Sequence, residues 1–220
     1  MIQLPPIEPH LKQRWSQLCD QAALPFSPDA LEKALGYLAL LQKWNKAYNL
    51  TAIDSMEKMM ILHLMDSFSI VPFLKGNRIA DVGTGAGLPG IPLALVCPDR
   101  HFTLIESSQK KCQFLLQAVL ALGLKNVDIC NARVESYKPE QKFDTIISRA
   151  FSSLQMMLDL TAPLCAQGGQ FLAMKGAHPE TEISMIPADF KVSAIHRLSV
   201  VGLSAERHVI ILNKTASHCF

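Results

Sequence analysis

The chain has 220 residues, of which 49% are hydrophobic and 18% charged, with a formal net charge of +2 at pH 7. That length and apolar content suit one large domain, or one domain with a helical extension. The nearly balanced charge neither requires nor excludes a nucleic-acid partner, because the placement of basic residues matters more than their sum. Since no apolar run approaches the roughly 18 residues of a membrane span and no N-terminal leader is evident, we expect a cytoplasmic protein.

Six cysteines lie at positions 19, 97, 112, 130, 165 and 219, and none belongs to a CxxC pair. Structural zinc sites usually combine such pairs, so we expect no metal site. Several of the cysteines stand in apolar runs, as buried free thiols do. The pattern is typical of a protein in a reducing cytoplasm.

The N-terminal third is predicted to be helical. Ser27-Pro28-Asp29 combines a capping hydroxyl, a first-turn proline and an acidic residue, which together mark a helix start. Apolar residues then recur every three or four positions as far as Trp44, the spacing of an amphipathic helix. A second helical stretch is expected over about 56–74. We therefore predict a helical extension, 1–77, packed on a core domain, 78–220.

A glycine-rich loop follows the first strand of the core domain. Residues 78–90 read Arg-Ile-Ala-Asp-Val-Gly-Thr-Gly-Ala-Gly-Leu-Pro-Gly, so an apolar strand ends near Asp81 and four glycines follow. Glycine permits tight turns with positive φ and lets the backbone approach a ligand closely. The next helix adds free N–H groups and the positive end of its dipole. This combination predicts a nucleotide-like cofactor.

Two cofactor classes fit this loop. Gly85-Ala-Gly87-Leu-Pro-Gly90 matches the dinucleotide fingerprint GxGxxG, with Glu106 about 20 residues further on, where a ribose-binding acid is expected. Read from Gly83, the loop instead has the Asp-x-Gly-x-Gly-x-Gly pattern of enzymes that bind S-adenosylmethionine (SAM). The position of the first glycine directly after the strand favours SAM, with Glu106 accepting from both ribose hydroxyls. The predicted cofactor residues are Asp81, Gly83, Gly85, Gly87 and Glu106.

Strands and helices alternate through the core domain, which predicts a parallel sheet with helices on both faces. Strands are expected at 78–82, 101–106, 127–131, 143–148 and 169–174, and helices at 88–97, 108–122 and 152–160. Two further strand-like runs, 191–201 and 207–214, predict an antiparallel hairpin at the sheet edge. A seven-stranded, mostly parallel sheet with this hairpin is the class I, Rossmann-like fold of SAM methyltransferases, so the hairpin is a second reason to prefer SAM.

Ligands of open α/β sheets lie beyond the carboxyl ends of the strands, and two more strand ends carry candidates. Val134 and Glu135 follow the third strand and could hold an adenine edge, although Glu135 also fits as an ordinary first-turn acid. Arg149 closes the fourth strand, where a charged residue rarely serves packing. Its guanidinium is suited to the SAM carboxylate or to a phosphate.

The absence of two motifs narrows the range of possible methyl acceptors. Enzymes that methylate exocyclic base amines commonly carry Asn/Asp-Pro-Pro-Tyr/Phe after the fourth strand, where this chain has Ser148-Arg-Ala-Phe151. Pyrimidine C5 methylation needs a cysteine nucleophile, and Cys165 resembles an apolar filler. An acceptor with an exposed lone pair, such as guanine N7, needs neither device. Alignment and exclusion of water would then carry the reaction, without a general base.

Six motifs stand in order over about 44–208: Trp44-Asn45-x-x-Tyr48-Asn49-Leu50-Thr51-Ala52-Ile53, His63-Leu-Met-Asp66-Ser67, Asp81-Val-Gly-Thr-Gly-Ala-Gly-Leu-Pro-Gly-Ile-Pro92, Ser148-Arg149-Ala150-Phe151, Lys175-Gly176 and Glu206-Arg207-His208. Together they resemble the bacterial small-subunit ribosomal RNA methyltransferase family RsmG, also called glucose-inhibited division protein B (GidB). The resemblance implies a SAM-dependent enzyme that methylates N7 of one guanine, position 527 in standard rRNA numbering, in 16S rRNA.

The resemblance also implies roles for single residues. SAM contacts are expected at Gly83, Leu88, Val134, Glu135 and Arg149. As a separate hypothesis from their charge, Lys175, Arg207 and Arg133 are candidates for contacts with RNA. Arg149 is further expected to position the reactants. Lys110 and Lys111 extend a possible basic rim for RNA phosphates, or are simply solvated residues of a helix face. The implied partner is 16S rRNA in the 30S subunit or an assembly intermediate, bound by a monomeric enzyme.

Several interpretations stay open. His63 and Asp66 share a helix face and form either an acid–base pair or a structural hydrogen bond that holds the N-terminal helices on the sheet. Asn45 and Asn49 either border the site or cap a helix end. Other possible functions are a SAM- or nucleotide-sensing protein without catalysis, a small-molecule methyltransferase and, least favoured, a nicotinamide-dependent oxidoreductase.

Overall fold

Seven strands form a single sheet in this computed structural model, which describes residues 4–149 and 151–215. They are β1 (Arg78–Val82), β2 (His101–Glu106), β3 (Val127–Asn131), β4 (Phe143–Ser148), β5 (Cys165–Lys175), β6 (Phe190–Arg197) and β7 (His208–Lys214). Their order is β3-β2-β1-β4-β5-β7-β6. The first five strands run parallel, and β7 runs antiparallel to both of its neighbours. The predicted parallel sheet with a terminal antiparallel hairpin is confirmed.

Helices cover this sheet and precede it. They are α1 (Pro9–Gln21), α2 (Pro28–Tyr48), α3 (Met56–Met59), α4 (Asp66–Phe68), α5 (Gly90–Val96), α6 (Gln109–Leu122), α7 (Leu154–Thr161) and α8 (Glu180–Ile183). A π-helical turn, Met60–Met65, joins α3 to α4. The helix start predicted at Ser27 is confirmed, because its hydroxyl accepts a hydrogen bond from Ala30 N. Among the described residues, no helix is long and apolar enough to cross a membrane.

The predicted boundaries differ from the structure in several places. The strand predicted at 191–201 ends at Arg197, and the core helices and β7 differ from their predicted bounds by one or two residues at an end. Two differences have a clear physical cause. The stretch 56–74 is not one helix, because α4 ends at Phe68 and a 3-10 turn, Val71–Phe73, follows. Pro72 lies in that turn and has no N–H to continue an α-helical ladder. The fifth strand begins at Cys165 instead of residue 169, with a register shift against β4. The left-handed Gly168, φ 73°, lies within this irregularity.

The N-terminal helices share a hydrophobic core with one face of the sheet. Buried side chains of α1 and α2 pack in one cluster with residues of α5, α6 and β2. The Tyr37 hydroxyl of α2 donates a 2.7 Å hydrogen bond to the carbonyl of Ala86 in the glycine-rich loop. α2 therefore supports the loop directly. The domain division at residue 77 stays a prediction.

The described cysteines are free thiols. They are Cys19, Cys97, Cys112, Cys130 and Cys165, and burial is the main cause that raises the pKa of each of these thiols. Raised thiol pKa values disfavour the reactive thiolate, which agrees with the predicted filler role of Cys165. Cys219 and Ala150 lie outside the described residues. No group of His, Cys, Asp and Glu suited to hold a metal occurs in the part of the chain that the structure covers.

Substitution of Tyr37 by phenylalanine tests the support of the loop. The buried carbonyl of Ala86 would lose its donor, and an unsatisfied buried acceptor costs about 1–3 kcal/mol. We expect urea denaturation to give a free energy of unfolding lower by about 2 kcal/mol. Tyr137→Phe is the matched control, since the described contacts of Tyr137 include a ring stack but no hydroxyl hydrogen bond. Equal stability of the two variants would contradict the supporting role.

Candidate active site

The glycine-rich loop turns sharply at the carboxyl end of β1. Gly83, Gly85 and Gly87 have φ values of 69°, 63° and 92°, which residues with a Cβ adopt only with strain. Gly83 N donates to the carbonyl of Ile105 at 2.9 Å, so the loop leans on the end of β2. A Cβ on Gly85 would point into open space, with no atom closer than 4.0 Å. The backbone of the loop is thus exposed to a ligand at Gly85.

Asp81 holds the loop from beneath. Its Oδ2 accepts hydrogen bonds from Thr84 Oγ1 at 2.6 Å and from Gly90 N at 2.8 Å. Its Oδ1 makes no hydrogen bond within the described residues. Burial raises the pKa of this carboxyl to about 6, against the opposing effect of the two hydrogen bonds. Asp81 therefore shapes the cofactor loop from beneath. Both the side chain and its unpaired Oδ1 are buried, and the predicted contact of Asp81 with SAM stays a prediction.

Asp81→Asn is expected to flatten the pH dependence of stability. Because the folded-state pKa of Asp81 exceeds its unfolded value, the folded protein binds more protons between about pH 4 and 6. Its contribution to stability therefore falls as the pH rises through that window. An asparagine oxygen in the Oδ2 position can accept from both donors, so we expect the loop to persist. Urea denaturation at pH 4, 5, 6 and 7 measures the effect, and an unchanged slope would contradict it.

Glu106 closes β2 beside the loop. Its Oε2 accepts from Gly85 N at 3.0 Å, and its Oε1 accepts from Ser108 N at 2.9 Å. Lys111 Nζ lies 3.9 Å from Oε2. The carboxylate is buried, and two backbone N–H groups fix its orientation. Each carboxylate oxygen retains lone-pair capacity for a ligand hydroxyl.

A cavity of about 380 Å³ opens next to this carboxylate. It brings together four predicted cofactor residues, Gly83, Glu106, Val134 and Glu135, with the predicted RNA residue Arg133. Phe151 and Leu160 complete its wall. Leu160 was not predicted, because nothing in its position in α7 distinguishes it from an ordinary core residue. A fixed carboxylate, an exposed glycine backbone and apolar walls fit the ribose, amino-acid end and adenine of SAM.

Five predicted cofactor residues do not line this cavity: Asp81, Gly85, Gly87, Leu88 and Arg149. Gly85 is tied to it through the hydrogen bond from its N–H to Glu106. Leu88 is buried in the hydrophobic core, so its side chain packs beneath the loop and only its backbone is available to a ligand. Gly87 is likewise enclosed, since a Cβ there would lie 2.5 Å from Ile91 Cδ1. Arg149 follows β4, and its side chain points into a second cavity. Their contacts with SAM remain predictions.

The second cavity, about 360 Å³, lies at the same edge of the sheet, and three of the residues in its wall are basic. Its lining includes His63, Asp66, Arg149, Lys175 and Arg207. The structure therefore groups two of the three predicted RNA residues with Arg149. Arg133 lies instead at the first cavity and is exposed.

His63 and Asp66 do not pair with each other in the described contacts. His63 Nε2 shares a 3.1 Å hydrogen bond with Thr51 Oγ1, and Asp66 binds Arg149 and Arg207. Burial and the nearby Arg149 lower the pKa of His63 to about 4, so the imidazole is neutral near pH 7. The predicted attachment of helices to sheet thus occurs through Asp66 and two arginines, without His63.

Asn45 and Asn49 cap the end of α2. Asn49 adopts the left-handed conformation of a C-cap, φ 50° and ψ 53°. Asn45 Oδ1 accepts a hydrogen bond from Thr51 N at 2.9 Å, which holds the turn after the helix. These contacts favour the capping interpretation. They also place Thr51 against His63, at the second cavity.

The basic rim divides into separate groups. Lys110 Nζ lies 5.1 Å from the centre of the Tyr48 ring, a cation–π distance. Lys175 Nζ binds both oxygens of Glu182, at 3.1 Å and 2.9 Å, and is mostly buried. The six basic residues therefore do not form a continuous rim of free cations in the structure. Arg133 and Lys110 are the exposed members.

Comparison with known proteins agrees with this architecture. The family model described as "GidB: rRNA small subunit methyltransferase G" matches residues 30–210. The "Ribosomal RNA small subunit methyltransferase G" of Ectopseudomonas mendocina is 50% identical over 84% of this chain and 87% of its own length. The protein of that name from Pseudomonas syringae pv. syringae is 45% identical over 96% of this chain and 98% of its own.

A solved structure extends the comparison to the fold. The M. jannaschii TYW2 complex with AdoMet has a TM-score of 0.52 at 16% identity, over 69% of this chain and 74% of that chain. Such a likeness at low identity concerns the fold alone. The predicted class I, Rossmann-like methyltransferase fold is confirmed, and the chain belongs to the GidB family, rRNA small subunit methyltransferase G.

Proposed function

We propose that this SAM-dependent methyltransferase transfers a methyl group to N7 of one guanine, position 527 in standard rRNA numbering, in 16S rRNA. The observation that carries the proposal is the pair of adjoining cavities at one sheet edge. One presents a fixed carboxylate and an exposed glycine loop, and the other presents arginine and lysine side chains. Family membership and the names of the relatives support a ribosomal RNA substrate for the same site.

SAM would be held in the first cavity. Glu106 would accept hydrogen bonds from the ribose hydroxyls, and the backbone of Gly83 and Gly85 would pass close to the amino-acid end. Val134 and Glu135 would border the adenine. Asp81, Gly87 and Leu88 would act from beneath by shaping the loop. When bound, SAM supplies an electrophilic methyl group on a positively charged sulfur.

The protein's part in the reaction would be alignment. Guanine N7 carries a lone pair in the plane of the ring and needs no proton removed before attack, so no general base is expected. The buried, neutral His63 shares a hydrogen bond with Thr51, and among the described residues it makes no contact with Asp66 that would form an acid–base pair. Arg149, in the wall of the second cavity, would position the acceptor. Exclusion of water and near-attack geometry supply rate without acid–base chemistry.

We further propose that the enzyme acts in the cytoplasm as a monomer, on the 30S subunit or an assembly intermediate. The near-neutral net charge of +2 favours this choice, because a substrate with a shaped surface needs less counter-charge than bare RNA. Arg133, Lys175 and Arg207 would contact the RNA.

The experiment is methyl transfer from labelled SAM to three substrates from a strain without this activity: 30S subunits, free 16S rRNA and total small RNA. We expect label on 30S subunits and little on small RNA. Binding of SAM without label on any RNA would favour the sensing alternative. Label on small molecules in an RNA-free extract would favour a small-molecule methyltransferase.

A further inference from the structure

One buried carboxylate holds two arginines, one directly after β4 and the other directly before β7. Asp66 Oδ1 accepts from Arg207 Nε at 3.0 Å, and Asp66 Oδ2 accepts from Arg149 Nη1 at 3.4 Å. The Asp66 side chain is only 4% exposed, whereas those of Arg149 and Arg207 are 29% and 25% exposed. The carboxylate is therefore hidden behind the two guanidinium groups, which reach the cavity.

Neighbouring contacts fix both arginines further. Arg149 Nη1 also donates to the carbonyl of Leu62 at 3.2 Å, in the π-helical turn, and Arg207 Nη1 donates to the carbonyl of Glu206 at 2.9 Å. Within the described residues, Nη2 of each guanidinium has no hydrogen-bond partner. π-Helical turns are rare in proteins, and those that occur are often found at functional sites. The arginines are thus oriented by the protein while donors remain for a ligand.

The charged groups around this cavity have a net charge of one positive unit, which favours the binding of one anion. Three cations, Arg149, Arg207 and Lys175, face two carboxylates, Asp66 and Glu182. His63 adds no charge near pH 7, because burial lowers its pKa to about 4. One positive charge remains uncompensated, which matches the single negative charge of a phosphodiester. Bidentate arginines are well suited to bind phosphate oxygens.

We propose that Asp66 is a positioning residue that sets Arg149 and Arg207 as a two-guanidinium clamp for one RNA phosphodiester beside the target guanine. The inference rests on the proposed function, since it names how the RNA is held at the same site. Asp66 does not contact the RNA itself. It offsets the repulsion between two guanidinium groups and fixes their direction, so that a single phosphate meets both.

Asp66→Asn separates this role from simple electrostatics. Removal of a negative charge near the site would tighten binding to RNA if only the total charge mattered. If Asp66 positions the clamp, Asp66→Asn should instead weaken binding to 30S subunits about tenfold and leave the Kd for SAM within about twofold. Filter binding to 30S subunits and calorimetry with SAM measure the two affinities. Tighter RNA binding by Asp66→Asn would overturn the proposal.

The arginines give a second, independent measurement. Arg149→Gln and Arg207→Gln should each weaken 30S binding and lower its dependence on salt by about one phosphate contact. The double variant should show the same salt dependence as either single variant, because both arginines contact one phosphate. If the salt dependence of the double variant fell by the equivalent of two phosphate contacts, the two arginines would bind separate phosphates, and the clamp would be contradicted. Arg197→Gln, on a 71% exposed arginine paired with Glu206, is the matched control.

Further outcomes distinguish the clamp from a site for the SAM carboxylate, from misfolding of a variant and from failure of the proposed function. An equal loss of SAM and RNA affinity in Arg207→Gln would assign the cavity to the SAM carboxylate and overturn the clamp. If Asp66→Asn does not fold, Arg207→Lys decides, since it keeps the charge and loses the guanidinium fork. Unchanged 30S affinity of Arg207→Lys would then count against the proposal. Absence of methylation by the unchanged protein would instead refute the proposed function.

Discussion

Alanine at position 90 is expected to disable the cofactor loop and to destabilise the fold. A Cβ on Gly90 would overlap Leu104 Cδ2 and lie 2.8 Å from Asp81 Oδ2. The same glycine donates its N–H to that oxygen, so the loop and the carboxylate cannot both keep their places. Overpacking of a buried position typically costs about 1–3 kcal/mol. Thermal unfolding and calorimetry with SAM should show lower stability and loss of SAM binding.

Gly123→Ala is the control for Gly90→Ala, because it adds the strain of a left-handed backbone without steric overlap. Gly123 caps α6 in the left-handed region, φ 66°, and a Cβ there would meet no atom within 4 Å. Alanine should cost about 1 kcal/mol through left-handed strain alone, without a change in SAM affinity. If Gly90→Ala bound SAM as the unchanged protein does, the account of the loop would be wrong.

Glutamine in place of Glu106 is expected to weaken SAM binding about 100-fold. Both carboxylate oxygens accept from backbone N–H groups, so a glutamine NH₂ group would face either Gly85 N or Ser108 N as a second donor. The ribose hydroxyls would also lose a charged acceptor, and hydrogen bonds to charged groups contribute about 1.5–3 kcal/mol each. Calorimetry with SAM and with S-adenosylhomocysteine measures the loss.

Asp128→Asn controls for loss of one negative charge. Asp128 lies in β3, is largely exposed and pairs with His101, the first residue of β2, at the opposite end of that strand from Glu106. Its substitution should leave SAM affinity unchanged. A loss of less than threefold in Glu106→Gln would show that the ribose is held elsewhere.

The bounds of β1 to β4 could be predicted from the residues that begin and end each strand. The predicted bounds agree with the structure at every residue, since each strand combines apolar residues with an end at a polar or glycine position that marks the turn. β5 differed because its irregular start, Cys165 to Gly168, contains a glycine typical of a loop and is held by tertiary pairing with Phe143. The π-helical turn, Met60–Met65, has no periodicity that distinguishes it from an α-helix.

The first cavity was largely predictable, whereas the second was not. Gly83 and Glu106 follow neighbouring parallel strands, so their proximity follows from topology. The partners of Asp66 lie 83 and 141 positions away in the chain, at Arg149 and Arg207. Local sequence contains no signal for such a contact. Motif resemblance identified all three residues, but only the packed structure places them around one carboxylate.

The most direct test is complementation followed by mapping of the modified base. A bacterial strain that lacks guanine-N7 methylation in 16S rRNA would express this chain, and its 16S rRNA would be treated by reduction and aniline cleavage, which cut at N7-methylguanine. The account predicts cleavage at the single guanine 527, absent when the chain carries Glu106→Gln. Cleavage at another guanine, or none while the protein is folded and binds SAM, would contradict it.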